Sequence, residues 1–341
     1  MKYLLAIPLL VAAAAAVGCW TFSVPRYRGP RSDHFDGERF FLKGAPPVQG
    51  FKGFAKWQAS RERGPWRPYA ELPPGPPPPR RVIGAMRVTF VNHATTLIQL
   101  DGINVLTDPI WSDRASPVSF AGPRRARPAG IRFEDLPPID AVVVSHNHYD
   151  HLDVPTLRRL RRAFPRVRIF VGLGNGAVEP ELRAEELDWW QGAPLGRGVT
   201  VTAVPSQHFS NRGLCDRDGT LFASYVISGS SGAAYFAGDT GYGPHFAEIR
   251  RRMGAPRLAV LPIGAYKPVW FMSAVHMSPA DALKAHDDLG AATSVAMHFG
   301  TFHLGDDGQD EAPRELLRAL EARKPSPRFW VLGFGEGRDV P

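Results

Sequence analysis

The chain has 341 residues, 44% of them apolar, and a net charge of +8 at pH 7. This composition excludes a disordered or fibrous protein and suffices for one large core or two ordinary ones. With only two cysteines, Cys19 and Cys215, a disulfide framework beyond one bridge is excluded, and so is a zinc site built from thiolates. The positive charge favours anionic partners such as phospholipid head groups or phosphate esters. The arginines form only short clusters, at Arg158-Arg159 with Arg161-Arg162 and at Arg250-Arg251-Arg252. Without a long basic block interleaved with aromatics, nucleic acid is not an expected partner.

The chain opens like an export address. Lys2 is followed by Leu4-Leu5-Ala6-Ile7-Pro8-Leu9-Leu10-Val11, an alanine run and Gly18-Cys19. Residues 1–19 therefore read as a signal peptide, a lipoprotein signal or a membrane anchor. The order Ala16-Val17-Gly18-Cys19 resembles a bacterial lipobox, with Ala16 where Leu is usual, and would make Cys19 the lipidated first residue. The expected location is the cell envelope, membrane-associated on the periplasmic side; a secreted or soluble periplasmic protein is the alternative.

Residues 20–84 read as an arm rich in proline and aromatics. Pro73-Pro74-Gly75-Pro76-Pro77-Pro78-Pro79 is a linker or a wrapping segment without a core of its own. Phe40, Phe41, Phe51, Phe54, Trp57 and Trp66 are too many aromatics for a solvated tail, so the arm is expected to pack on the folded domain that follows or on lipid.

Residues 85–341 carry the folded pattern. Arg87–Val91, Thr96–Leu100 and Ile103–Thr107 read as strands, with a hairpin turn at Asp101-Gly102. Ala141–Ser145 is a strand, Val154–Ala163 a helix, and Arg168–Val171 and Val199–Val204 are further strands. Leu221–Ser228 and Ala233–Ala237 form a hairpin. Pro244–Met253 is helical and Leu258–Leu261 extended. Ser278-Pro279 caps another helix. Ser294–Met297 is a strand, Pro313–Arg323 a helix, and Phe329–Leu332 the last strand. No internal repeat is evident. Strands first, then alternating strand and helix, predict an α/β fold of two sheets packed face to face with helices outside.

The chemistry concentrates where four of these strands end. Ser145-His146-Asn147-His148-Tyr149-Asp150-His151-Leu152-Asp153 places four metal-ligand types within six residues, directly after a buried β-branched run. On an extended chain His146 and His148 share a face. Three imidazoles and a carboxylate have no place in a packed core unless each finds a partner, and a cation serves all of them. His208, Asp239 and His298 follow apolar runs in the same way. Taken singly, His208 or His298 would be ordinary histidines; as a set, seven donors exceed the needs of one tetrahedral zinc and suit two metals sharing a carboxylate. Donors of His and carboxylate fit zinc, with iron or manganese as alternatives.

His146-Asn147-His148-Tyr149-Asp150-His151 is the HxHxDH motif and resembles that of the metallo-β-lactamase fold, with His208, Asp239 and His298 in the order which that fold requires. Flanking stretches narrow the likeness: Asn92-His93-Ala94-Thr95, Leu106-Thr107-Asp108-Pro109-Ile110, Leu187-Asp188-Trp189-Trp190, Phe236-Ala237-Gly238-Asp239-Thr240-Gly241 and His298-Phe299-Gly300-Thr301-Phe302. These are similar to the N-acylphosphatidylethanolamine-hydrolysing phospholipase D family and its bacterial relatives, across roughly residues 85–335. The resemblance implies an αββα sandwich of two mixed sheets flanked by helices. It implies two Zn2+, one on His146, His148 and His208, the other on Asp150, His151 and His298, bridged by Asp239. Asp150, Asp239 and His276 become the candidate catalytic residues, His276 near substrate; its plain alternative is a histidine near a helix N-terminus. His93 is expected to buttress the site, and His303 has no assigned role.

The implied activity releases phosphatidic acid and an N-acylethanolamine from a phospholipid at a membrane surface, and the family allows a homodimer. Two rival readings stand beside it. One is a hydrolase of the same fold acting on another ester, lactone or phosphodiester, because fold and metals do not decide substrate. The other is an envelope lipoprotein whose metal domain is structural.

Overall fold

The computed structural model of the protein describes residues 18–19 and 21–341. Of the export-type segment expected over residues 1–19, residues 1–17 lie outside them. In the arm, helix α1 (Phe51–Ala59) buries Trp57 and leaves Phe51 84% exposed. Strands β1 (Met86–Asn92), β2 (Thr95–Leu100) and β3 (Ile103–Thr107) follow as a meander. The β2–β3 turn is made by Asp101 (φ 50°) and Gly102 (φ 83°). Two successive left-handed residues define the tight hairpin turn that Asp-Gly tolerates.

Then come β4 (Ala141–Val144), α2 (Val154–Ala163), β5 (Arg168–Gly172) and β6 (Glu185–Leu187). The second half begins with β7 (Gly192–Gly196), β8 (Val199–Val204), β9 (Ser224–Gly229) and β10 (Gly232–Phe236). It continues through α3 (His245–Met253), β11 (Leu258–Pro262), α4 (Val269–Met272), α5 (Pro279–Leu289) and β12 (Thr293–Met297). The chain closes with α6 (Glu311–Glu321), β13 (Phe329–Trp330) and β14 (Gly337–Val340). Ser278 caps α5 in a full capping box with Asp281, as Ser-Pro predicts.

Among the described residues there are two seven-stranded sheets, ordered β14-β1-β2-β3-β4-β5-β6 and β13-β12-β11-β10-β9-β8-β7. Both are mixed, and with the flanking helices they make the αββα sandwich. In the first sheet the pairs from β14 to β3 are antiparallel and those from β3 to β6 parallel. The second repeats the series, antiparallel from β7 to β10 and parallel from β10 to β13. This repeat is absent from the residues because pairing depends on alternation and chain path, not on side-chain identity.

β4 shows how the layers share one strand. Ala141 and Val143 face the core between the sheets, while Val142 and Val144 face the outer layer with Leu157 and Leu160 of α2. A strand covered on both faces reads as a continuous apolar run.

Three strands escaped the sequence pattern. β6, β7 and β14 are Glu-Glu-Leu, Gly-Ala-Pro-Leu-Gly and Gly-Arg-Asp-Val, edge strands with few β-branched residues. The strand expected from Leu221 begins at Ser224 instead. Leu221 N and Ala223 N donate to Leu173 O and Ser145 O, so this stretch is bonded to the loops of the first half. The strand expected to be the last, Phe329–Leu332, ends at Trp330 as β13 and is followed by β14.

Part of the arm packs on the domain, one of the two placements expected for it. Phe35, Phe40 and Trp57 are buried, and Trp57 donates to Asp306 Oδ2 at 2.7 Å. Trp66 stacks on His303, which removes that histidine from the site. The proline run is bonded to the domain through Gly75 N to Gly130 O, and a Cβ on Gly75 would meet Gly335 O at 2.5 Å. Phe51, Phe54 and Phe41 stay exposed. Cys19 and Cys215 form a disulfide, with Cα atoms 5.2 Å apart. The lipidated Cys19 suggested by the lipobox-like order is therefore corrected: a sulfur bonded to Cys215 has no valence left for a thioether. No helix among the described residues is long and apolar enough to cross a membrane.

Candidate metal centre

Strand ends on one rim of the sandwich bring the seven donors together. His146 and His148 leave β4, His208 lies four residues past β8, Asp239 three past β10, and His298 directly follows β12. The apolar strands must be buried, so only their ends can present polar groups at a common edge.

Two clusters face each other across Asp239. In one, His146 Nε2 and His208 Nε2 point at His148 Nδ1, at 2.8 and 3.3 Å. In the other, His151 Nε2 lies 3.2 Å and His298 Nε2 3.6 Å from Asp150 Oδ2. Asp239 Oδ2 is 3.1 Å from His151 Nε2 and 3.9 Å from His208 Nε2, and its Oδ1 is 3.1 Å from His298 Nε2. The structure thus brings together the seven residues that the resemblance named, in two groups of three with the Asp239 carboxylate between them.

Four of the imidazoles have a partner on the ring nitrogen turned away from the centre. His146 Nδ1 bonds Ser145 Oγ, His148 Nε2 bonds Asn211 Oδ1, His208 Nδ1 bonds Val275 O, and His151 Nδ1 bonds Asp108 Oδ2. Each acceptor holds an N–H on the outer nitrogen and turns the inner nitrogen to the centre, the outer partnership typical of metal-bound histidines. His93 Nε2 donates to Asp150 Oδ2 at 2.8 Å and orients that carboxylate, as expected of a buttress.

Asp108 is the functional residue that sequence reasoning passed over. Its Oδ2 accepts from both His151 Nδ1 and Ser145 Oγ, at 2.6 Å each, and its Oδ1 from Ser145 N at 2.7 Å. Its position just past β3 was the available signal. Asn211 lies in a long loop and carries no such signal.

Backbone strain gathers here. His93 (φ 45°), Asp108 (φ 33°) and His298 (φ 64°) are left-handed residues other than glycine. Such residues cost of order 1 kcal/mol each and persist where the surroundings fix them; His298 N, for instance, donates to His93 O at 2.7 Å.

Inner atoms are left without partners. His151 Nε2, His298 Nε2, Asp239 Oδ1 and His276 Nδ1 are buried and make no hydrogen bond among the described residues. An orphaned buried polar group costs about 1–3 kcal/mol. Donor atoms of His146, His148 and His208, and those of His93, Asp150, His151 and His298, converge within 4.8 Å in each set. Cations with nitrogen and oxygen ligands fit this donor set. His276 Nδ1 lies 3.8 Å from Asp239 Oδ2, at the partly exposed mouth.

Electrostatics separate the two halves. Burial opposes charge on His298, yet Asp239 and Asp150 outweigh it and push the imidazole up to about 9. Burial likewise opposes charge on His151, but Asp239, Asp150 and Asp108 hold it well above the ordinary histidine value. Burial drives His146 and His208 well down, and brings His148 to about 4. A metal entering the Asp150/His151/His298 half must therefore displace protons, whereas the other half is already neutral at pH 7. Affinity of that half is expected to rise with pH from 6 towards 9, about tenfold per unit for each proton released. Chelator competition at pH 6, 7 and 8 reads this directly, and a flat profile would contradict the assignment of His151 and His298.

Size does not locate the centre. A cavity of about 780 Å³ lies between the arm and α6, is lined by charged residues such as Arg67, Lys267 and Glu311, and includes none of the seven donors. A smaller one of about 150 Å³ touches it, running from Phe41, Leu42 and Val48 of the arm to His208, Phe209 and Ala274.

The sandwich and its rim of His and Asp define a metallo-hydrolase of β-lactamase type. The Beta-lactamase superfamily domain matches residues 103–299, a stretch enclosing all seven donors, and the chain belongs to that superfamily of metal-dependent hydrolases. It is similar to the N-acyl-phosphatidylethanolamine-hydrolyzing phospholipase D 1 of Caenorhabditis elegans, 38% identical over 263 residues that cover 73% of this chain and 74% of that protein. An uncharacterised protein of Mycobacterium tuberculosis is 37% identical over 321 residues, covering 92% of this chain and 84% of its own. Among solved structures, a metallo hydrolase from Ignicoccus hospitalis shares the fold with a TM-score of 0.57 at 22% identity, covering 75% of this chain and 99% of its own.

Proposed function

We propose that the protein is a dinuclear zinc phosphodiesterase of phospholipase D type. Its substrates would be N-acylphosphatidylethanolamine-like phospholipids, cleaved to phosphatidic acid and N-acylethanolamine at a membrane of the cell envelope. The observation that carries the reading is the likeness to the worm phospholipase D over about three quarters of the chain, together with two clusters of donor atoms that face each other across Asp239.

In this reading His146, His148 and His208 hold one ion, Asp150, His151 and His298 the other, and Asp239 lies between them. Bound zinc would supply positive charge for the phosphoryl oxygens and acidify water beside the phosphorus. The chain's own residues do the rest. Asp239 and Asp150 keep the buried imidazoles paired and oriented. Burial pushes His276 down to about 4, so at pH 7 it is a neutral imidazole at the mouth, fitted to donate an N–H to a phosphoryl oxygen. Water adds to phosphorus as the bond to the ethanolamine oxygen breaks, and that oxygen leaves with a proton.

A lipid surface suits the exposed face of the arm. Phe51 and Phe54 of α1 and Trp270 of α4 are exposed, with Lys52 beside them and Lys56 Nζ 4.8 Å from the centre of the Trp270 ring. Apolar rings mixed with lysines fit the interface of an anionic bilayer. His276 N donates to Met272 O at 2.8 Å, so the end of α4 is tied to the histidine at the mouth.

The test is mass spectrometry of mixed phospholipids incubated with purified, zinc-loaded protein. Appearance of N-acylethanolamine and phosphatidic acid is expected. Unchanged N-acylated phosphatidylethanolamine beside a cleaved soluble diester would sink the lipid reading and leave the hydrolase class standing.

A further inference from the structure

Between β8 and β9, residues 205–223 contain no helix or strand. A stretch of this length without regular structure inside a compact domain needs other ties to hold a shape. Two sets of ties flank it here, one to the HxHxDH segment and one to the N-terminal arm.

Towards the centre, Asn211 Oδ1 accepts from His148 Nε2 at 2.9 Å, which leaves His148 Nδ1 as the inner atom. Arg212 donates from Nη1 to the carbonyls of Asn147 and Leu152, at 2.8 and 2.9 Å, and its guanidinium lies 3.9 Å from the centre of the Tyr149 ring. The loop thus brackets residues 147–152 from outside. Towards the arm, the Asp216 carboxylate gathers Val24 N and Gly213 N, each at 2.9 Å, and Arg212 N at 3.1 Å. Cys215 N donates to Ser23 Oγ at 3.1 Å, and Cys215 is covalently joined to Cys19. The approach is close enough that a Cβ on Gly213 would meet Ser23 Oγ at 2.3 Å.

We propose that Asn211 is a positioning residue for His148 and that the Cys19–Cys215 bridge holds the loop that carries it. The three-histidine half of the centre then takes its metal tightly only in the bridged protein. This rests on His146, His148 and His208 forming one cation site and is independent of the lipid substrate. The physical link is short. Cys215 lies four positions past Asn211, and Asp216 bonds both the arm and the residues next to Asn211. Removing an outer partner of a metal-bound histidine typically lowers metal affinity 10- to 100-fold.

The full chain, purified without reductant, is first digested and weighed. A Cys19–Cys215 cross-linked peptide is expected; free thiols, or an acylated glyceryl group on Cys19, would overturn the bridge. Chelator competition then measures both Zn2+ affinities, and the Co2+ visible spectrum reports ligand geometry. In Asn211→Ala one of the two affinities is expected to fall by about 10- to 100-fold with an altered cobalt spectrum. Asn211→Asp, which keeps an acceptor for His148 Nε2, is expected to restore most of it. Cys215→Ser should weaken the same ion and spare the other. A phosphine reductant, which with water yields two thiols and the phosphine oxide, should do the same to the wild-type chain and avoids reliance on the folding of the variant. Unchanged affinity in Asn211→Ala would overturn the positioning role. Loss in Asn211→Ala without any change on reduction would overturn the role of the bridge. Because metal affinity is read without turnover, failure on phospholipid substrates leaves this result unaffected.

Discussion

Asp239→Asn is expected to lower turnover by at least about 10³-fold and to reduce bound metal from two ions to one or none. The substitution keeps size and shape but removes the anion between the two clusters. It also turns an amide towards His151 Nε2 and His298 Nε2, which stand 3.1 Å from the two Asp239 oxygens. A single charge-stabilising group at a reacting centre is commonly worth 10²–10³ in rate, and this one would serve both cations. Burial opposes ionisation of Asp239, but His151 and His298 hold its pKa well below the ordinary carboxylate value, so the anion is present at any working pH. Metal analysis and steady-state kinetics check the prediction, with near-ultraviolet circular dichroism to show an intact fold. Two bound ions with wild-type turnover would remove Asp239 from its central role.

The second large effect is expected at a residue that touches neither substrate nor, by this assignment, metal. Asp108→Ala would leave His151 Nδ1, Ser145 Oγ and Ser145 N without their acceptor in a buried setting. Breaking a buried, hydrogen-bonded charge pair by removing one partner costs about 3–5 kcal/mol. For a domain of this size the melting temperature should fall by roughly 5–15 °C. Metal affinity should fall as well, because His151 loses its outer partner directly and His146 loses its own at one remove, through Ser145 Oγ. Asp108→Asn, which retains one acceptor oxygen, should lie between. Thermal melts with and without added zinc distinguish the two contributions, and an unchanged melting temperature in both conditions would refute the account.

The donors were legible because ligation leaves a local trace. His146, His148, Asp150 and His151 sit at fixed offsets after a buried strand, and His208, Asp239 and His298 each follow an apolar run. Their outer partners leave much less. Asp108 also ends a strand, but nothing local says that its carboxylate reaches 37 residues along the chain to Ser145. Asn211 and the Val275 carbonyl are set by loops whose path depends on what they pack against. The edge strands were missed for a related reason: β7 and β14 contain too few β-branched residues to signal extension, and pairing to a preformed neighbour supplies it instead.

Cys19 shows how the two levels can conflict. Read locally, Ala16-Val17-Gly18-Cys19 suggests a lipid attachment site. In the fold the same sulfur meets Cys215, 196 residues later in the chain.

By itself, the sequence determined the α/β class, most of the strands, the seven candidate donors and the aromatic character of the arm. All of these follow from periodicity and spacing, which act between near neighbours. Only the tertiary structure decided that the donors face one another across Asp239, that Asp108, His93 and Asn211 stand behind them, and that the arm is bolted to the loop beside His148. Those outcomes depend on contacts between residues far apart in the chain, where burial of both sheets leaves the strand ends one shared rim.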